Sequence, residues 1–176
     1  MATFVLTVIG DDRSGLVSAL SGVIAAHGGS WERSQMARLA GKFAGIVLVA
    51  VPDEQAEALM RELGPLGSEG LLDVTVERTH DPGRPDGDTG ATRLSLELVG
   101  ADRPGIVHDI SRVLASRQVS IEELHTLTRE APMAGGMLFE ATATLLAPSG
   151  VPIADLRAVL EELANELMVD IELSAD

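Results

Sequence analysis

One stretch of this chain occurs twice. At a constant offset of 90, residues 10–32 match residues 100–122 with ten identities in 23 pairs. The offset grows to 96 further on, so that Phe43 aligns with Phe139, and to 97 near the end. Because both halves carry the same pattern, a fold predicted for one half applies to the other.

The repeat divides the 176 residues into two small domains, each large enough for one modest core. We predict a first domain at residues 1–78 and a second at residues 92–176. Residues 79–90 contain two prolines, three glycines and no large apolar side chain. This composition predicts an exposed linker over residues 79–91.

Each copy opens with an apolar segment that predicts a strand, followed by a helical stripe. In the first copy the stripe consists of Leu16, Val17, Leu20, Val23 and Ile24. Pro104 suits the first turn of the second copy's helix, and Gly28 and Gly29 are typical of the end of the first copy's helix.

The rest of each copy predicts a polar edge strand, a central apolar strand, a second helix and a short last strand. Two interleaved strand-helix-strand units of this kind form a four-stranded antiparallel sheet in the order 4-1-3-2, with both helices on one face. The predicted fold class is therefore α+β, with two ferredoxin-like βαββαβ domains. The polar edge strands and the bare sheet faces predict pairing of units, and we expect a homodimer.

Composition excludes several classes of function. The net charge of −14 disfavours direct contact with nucleic acid, and there is no cysteine for a disulfide, a thiolate nucleophile or a zinc site. The first residues lack the pattern of a leader, so we expect none, and the longest apolar run, residues 43–52, is about half of a membrane span. We expect a cytoplasmic protein without membrane contact.

The repeated Asp-Arg-x-Gly loop between the first strand and the first helix is the candidate site. Backbone N–H groups at Gly15 and Leu16, and at Gly105 and Ile106, are free to hold a carboxylate. The preceding Asp12 and Asp102 are suited to an ammonium group, which together with the helix terminus gives a site for an α-amino acid. Arg13 and Arg103 either pair with these aspartates or reach a neighbouring subunit.

The same residues also admit a purely structural interpretation. Asp12 and Asp102 would then cap the helices, Gly15 and Gly105 would allow close packing of helix against sheet, and the arginines would be solvated. Duplication preserves a cap as readily as a ligand site. Both interpretations therefore stay open at the level of sequence.

Other chemistry has little support in the sequence. The four histidines lack metal-ligand spacing, Ser14 has no histidine nearby and is replaced by Pro104 in the second copy, and no phosphate-binding glycine motif occurs. We expect no catalytic residue, no metal and no cofactor. His108 is predicted to be exposed, His125 to lie on an edge strand, and Trp31 to be buried or at an interface.

The segment Gly100-Ala101-Asp102-Arg103-Pro104-Gly105-Ile106-Val107, followed by the βαββαβ order, resembles an ACT domain, a small amino-acid-sensing module. A tandem of two such units over the whole chain is similar to the glycine cleavage system transcriptional repressor family. That family acts by binding an activator protein rather than DNA. The resemblance implies a cytoplasmic, non-catalytic regulator that signals its ligand state to a protein partner.

The resemblance also implies where an amino acid binds, namely at interfaces between ACT units, where it touches this loop of one unit and the second strand of another. The matching positions are Asp12, Arg13, Gly15, Leu16, Asp102, Arg103, Gly105 and Ile106. Ser14 replaces the proline of the motif, so the second copy, with its fuller motif, is the preferred site. The alternative is a regulatory or structural subunit that binds no small molecule and docks onto a metabolic enzyme through its edge strands.

Overall fold

The computed structural model of this protein describes residues 1–79, 90–132 and 135–175, and the chain divides into two compact units. The linker predicted at residues 79–91 lies mostly outside the described residues. The first unit contains β1 (Ala2–Asp11), α1 (Leu16–Ala26), β2 (Ser30–Leu39), β3 (Lys42–Val51), α2 (Ala56–Ser68) and β4 (Asp73–Thr79). The second contains β5 (Thr92–Ala101), α3 (Ile106–Ser116), β6 (Ser120–Glu130), β7 (Met137–Ala147), α4 (Ile153–Leu167) and β8 (Val169–Ala175).

Each unit has one four-stranded antiparallel sheet. The strand orders are β2-β3-β1-β4 and β6-β7-β5-β8, which is the predicted 4-1-3-2 order counted from the opposite edge. The two central strands are the more apolar ones in both units, and alternate residues along them are buried in the core. The predicted fold class of two ferredoxin-like βαββαβ units is confirmed.

The pairing of strands confirms that the two units are copies. Gly10 lies opposite Phe43 in the first sheet, and Gly100 lies opposite Phe139 in the second. The offset of 90 relates Gly10 to Gly100, and the offset of 96 relates Phe43 to Phe139. Positions in one unit can therefore be compared with their counterparts in the other by strand register as well as by sequence.

Each sheet packs one face against its two helices to form a separate core. In the first unit the fully buried side chains include Phe4, Leu6, Leu20, Ile24 and Leu59. In the second they include Leu94, Leu98, Ile106, Leu114 and Leu145. Residues at alternate positions along the strands fill these cores, as the period of two predicts.

The strands β2 and β6 lie at sheet edges, as predicted, and are largely exposed; every residue of β6 is exposed. Both carry an irregularity at the same place, between Trp31 and Arg33 in one and between Ile121 and Glu123 in the other. Trp31 is half-buried and packs against the first core.

The first helix ends at its glycine pair, as predicted. Gly28 has a φ of +64°, and the N–H of Gly29 donates to the carbonyl oxygen of Ile24 at 2.9 Å. This is the usual way to satisfy the last carbonyl groups of a helix. The second unit reaches the same end without glycine, because Gln118 takes a positive φ of 59°.

Candidate functional site

The loop after β1 turns through a left-handed residue before α1 begins. Gly15 is the N-cap of α1 with a φ of +92°, and a Cβ built there would have no neighbour within 4 Å. A side chain disfavours this φ, whereas glycine adopts it without strain. The backbone conformation therefore requires Gly15, and the interpretation that it allows close packing of helix against sheet is wrong.

The loop of the second unit has the same backbone. Gly105 is the N-cap of α3 with a φ of +96°, and the helix begins at Ile106. Pro104 therefore precedes the N-cap, and the prediction that it lies in the first helical turn is wrong. The reason is that the left-handed glycine separates it from the helix.

In the part of the chain that the structure describes, neither helix has a side-chain cap at its N-terminus. The interpretation of Asp12 and Asp102 as helix caps is therefore wrong. The first N–H groups of a helix have no partner within the helix and carry partial positive charge. In both units these groups remain free of a capping side chain.

Asp12 pairs instead with an arginine on the edge strand β2. The Nε atom of Arg38 donates to Oδ2 of Asp12 at 2.7 Å, and a terminal nitrogen of the same guanidinium donates to the same oxygen. The side chain of Asp12 is 23% exposed. This pair holds a carboxylate and a guanidinium side by side in front of the open end of α1.

A groove of about 450 Å³ lies between this ion pair and the start of α1. Its volume is within the range of small-molecule sites. It combines backbone N–H groups, two arginines, one aspartate and an apolar wall. The lining residues are Asp12, Arg13, Ser14, Gly15, Leu16, Val17, Ser18, Arg38 and Phe43.

The remaining charges of the loop are engaged with the fold. Arg13 donates to the carbonyl oxygen of Gly70, which ties the loop to the segment before β4, and does not pair with Asp12. Lys42 donates to Asp11 at 2.5 Å. This hydrogen bond and the charge of Lys42 hold the pKa of the Asp11 carboxyl below its usual value.

The profile of the ACT domain family matches residues 2–77 and 92–174, which covers both units and most of the chain. This chain belongs to the ACT domain family. ACT domains are regulatory domains that bind amino acids, so the family indicates a regulatory role.

Three relatives extend this comparison. UPF0237 protein MK1213 of Methanopyrus kandleri is 36% identical to this chain over 80 residues. The matched region is 46% of this chain and 83% of the relative's length. A protein from Galdieria sulphuraria that is described as unknown has a TM-score of 0.87 at 28% identity, covering 99% of this chain and 98% of its own. A candidate glycine cleavage system transcriptional repressor has a TM-score of 0.71 at 19% identity, covering 99% and 97%, which shows a shared fold.

The loop of the second ACT domain differs from that of the first in its charged partners. The N–H of Asp102 donates to the carbonyl oxygen of Met137 at 2.8 Å, as that of Asp12 donates to Gly41 at 2.9 Å. Arg103, however, faces Asp109 in the first turn of α3, with 3.6 Å between its terminal nitrogen and Oδ2.

Two of the predicted site residues contribute through the backbone. Leu16 and Ile106 are each 2% exposed, because their side chains belong to the cores of the two ACT domains. As the first residues of α1 and α3, they can offer a ligand their backbone N–H groups as hydrogen-bond donors. The sequence missed Arg38, because it lies on a polar edge strand 26 residues from Asp12; the hairpin register that places Arg38 opposite Phe43 is the signal that locates it.

Other chemically active side chains lie apart from this groove. His27 is 7% exposed, with Nδ1 2.9 Å from the carbonyl oxygen of Val23 and Nε2 3.6 Å from a carboxylate oxygen of Glu62. His108 is exposed and His125 lies on the edge strand β6, both as predicted, while His80 lies outside the described residues. Among the described residues no cluster of acidic side chains and histidines has the arrangement of a metal site.

No helix among the described residues is both long enough and apolar enough to cross a bilayer.

Proposed function

We propose that this protein is a non-catalytic regulator that binds a free amino acid at its β1–α1 loop and passes its ligand state to another protein. The observation that carries the proposal is the groove between the open end of α1 and the pair formed by Arg38 and Asp12. In this groove the N–H groups of the helix and Arg38 would bind the carboxylate of the amino acid. Asp12 would accept a hydrogen bond from its ammonium group.

The charge of the groove supports a zwitterionic ligand over a simple cation or anion. Asp12 and Arg38 keep opposite charges close together, and each has hydrogen-bonding capacity beyond their mutual contact. A zwitterion can bind to both at once. The amino-acid side chain would lie along Val17 and Phe43, which form part of the groove.

The partner that reads the ligand state is proposed to be a protein. With 27 acidic and 13 basic side chains, the chain lacks the positive charge on which binding to a phosphate backbone depends. A ligand transmits a signal only if the bound and free forms differ in affinity for that partner. The finer proposal is a regulator of transcription in amino-acid metabolism, such as glycine metabolism, since a protein of the same fold is described as a candidate glycine cleavage system transcriptional repressor. The acidic charge of this chain is the reason to propose that it acts without DNA contact.

A thermal-shift scan against the twenty amino acids tests the proposal. A ligand at about 100 times its Kd adds roughly 2.7 kcal/mol to stability. In a domain of this size that corresponds to an increase of Tm on the order of 10 °C. We expect one or a few amino acids to raise Tm and the rest to leave it unchanged. If no amino acid raises Tm in the millimolar range, the proposed function is wrong.

A second candidate is a subunit that binds no small molecule and docks onto an enzyme. The observation that favours it is the edge strand β6, where Ile121, Leu124 and Leu127 are between 37% and 51% exposed. An edge strand with apolar side chains is suited to pairing with another chain, including a second copy in the proposed homodimer. A copurifying enzyme together with an unchanged Tm in every amino acid would favour this candidate.

A further inference from the structure

We propose that the two ACT domains have diverged so that only the first loop receives a ligand, because Asp109 supplies the second loop with a carboxylate of the chain itself. This inference rests on the proposed function and names which of the two loops performs it. It reverses the preference for the second loop that the sequence motif suggests. Asp109, the residue on which the difference between the two loops depends, is not part of the Asp-Arg-x-Gly motif.

Asp109 lies in the first turn of α3 and points back toward the N-terminus of the helix. Its Oδ2 atom is 3.6 Å from the guanidinium of Arg103 and 3.9 Å from the position that a Cβ on Gly105 would occupy. Negative charge at this end of a helix is favourable, because the first N–H groups carry partial positive charge. Asp109 thus places a negative charge beside the groups that would otherwise attract the carboxylate of a ligand.

The equivalent residue of the first unit is Ala19. The N–H of Ala19 donates to the carbonyl oxygen of Gly15 at 2.9 Å, and that of Asp109 donates to Gly105 at the same distance. The two residues therefore occupy the same position of the first turn. Since alanine brings no charge, the first turn of α1 has no acidic residue, and the end of this helix stays free for an external carboxylate.

A second substitution acts in the same direction. Arg38 lies opposite Phe43 on β3, whereas Thr128 lies opposite the equivalent Phe139 on β7. The first loop therefore has two arginines and one aspartate besides the neutral pair of Lys42 and Asp11, whereas the second has one arginine and two aspartates. In a chain with a net charge of −14, the first loop is a local site of positive charge that favours a carboxylate.

The test is the number of amino-acid molecules that each chain binds. The full-length protein is dialysed to equilibrium against an equimolar mixture of the twenty amino acids, and the bound amino acids are released and counted. We expect one molecule per chain for the unaltered protein. Ala19→Asp is expected to lower binding by at least about tenfold, the effect of about 1.4 kcal/mol of repulsion. The neutral, matched variant Ala19→Asn should bind more tightly than Ala19→Asp.

The reciprocal variant combines Asp109→Ala with Thr128→Arg, which gives the second loop the charges of the first. We expect this protein to bind two molecules per chain. Two molecules bound by the unaltered protein, or equal binding by Ala19→Asp and Ala19→Asn, would overturn the inference and leave the proposed function standing. Absence of any bound amino acid, with all variants folded by circular dichroism, would overturn both.

Discussion

Replacing Arg38 with glutamate is expected to weaken amino-acid binding by roughly 100-fold, since charge-assisted hydrogen bonds contribute about 1.5–3 kcal/mol and each 1.4 kcal/mol is tenfold in affinity. The change removes the guanidinium that faces the proposed carboxylate. It also leaves two acidic side chains, Asp12 and the new glutamate, at the mouth of the groove. Calorimetric titration with the amino acid found in the thermal scan measures the effect.

The matched control is Arg33→Glu. Arg33 is an exposed residue of the same strand that does not line the groove, so this variant makes the same change of charge without altering the site. Folding should be little affected in either case, because the side chain of Arg38 is 73% exposed and surface ion pairs contribute at most about 1 kcal/mol. Equal affinity of the two variants for the amino acid would show that Arg38 does not contribute to binding.

Gly10→Ala is expected to destabilise the first ACT domain by about 2–3 kcal/mol, which is the cost of forcing extra atoms into a packed position. A Cβ on Gly10 would lie 2.3 Å from the backbone oxygen of Leu71 and 3.1 Å from a methyl carbon of Leu72. A backbone oxygen cannot rotate away as a flexible side chain can. The last residues of β1 would have to move away from the segment that precedes β4.

Urea unfolding followed by Trp31 fluorescence measures this loss. The chain has one tryptophan, and it packs against the core of the first unit, so its signal reports on that unit. The midpoint should fall by about 1–2 M urea. Gly22→Ala is the control, because Gly22 lies within α1 with open space around it, and alanine there should raise stability by about 0.5–1 kcal/mol. A midpoint unchanged by Gly10→Ala would contradict the close packing at this residue.

Much of the fold could be predicted from sequence because it depends on repeated local patterns. The helical stripe that begins at Leu16 forms α1, and the glycine pair at residues 28–29 ends it. The apolar segments became central strands and the mixed segments became edge strands, which gives the predicted strand order. Duplication strengthened each of these inferences, since the same pattern had to give the same element twice.

The site was predicted less completely, because it depends on contacts between distant residues. The position of Gly15 could be predicted from the motif, but its reason, a positive φ rather than close packing, requires the backbone conformation. Arg38 reaches Asp12 only because a hairpin brings β2 back beside the loop. The replacement of Ala19 by Asp109 is visible in the aligned repeats, yet its meaning depends on the direction in which Asp109 points.

The most direct test of the account is a nuclear magnetic resonance titration of the isotopically labelled protein with the amino acid that raises its Tm. We predict that the backbone amide signals of Leu16, Val17 and Ser18 shift most, because their N–H groups face the groove at the start of α1. The equivalent signals at the start of α3 should stay in place. Large shifts confined to residues away from the groove, with these three signals unmoved, would contradict the account.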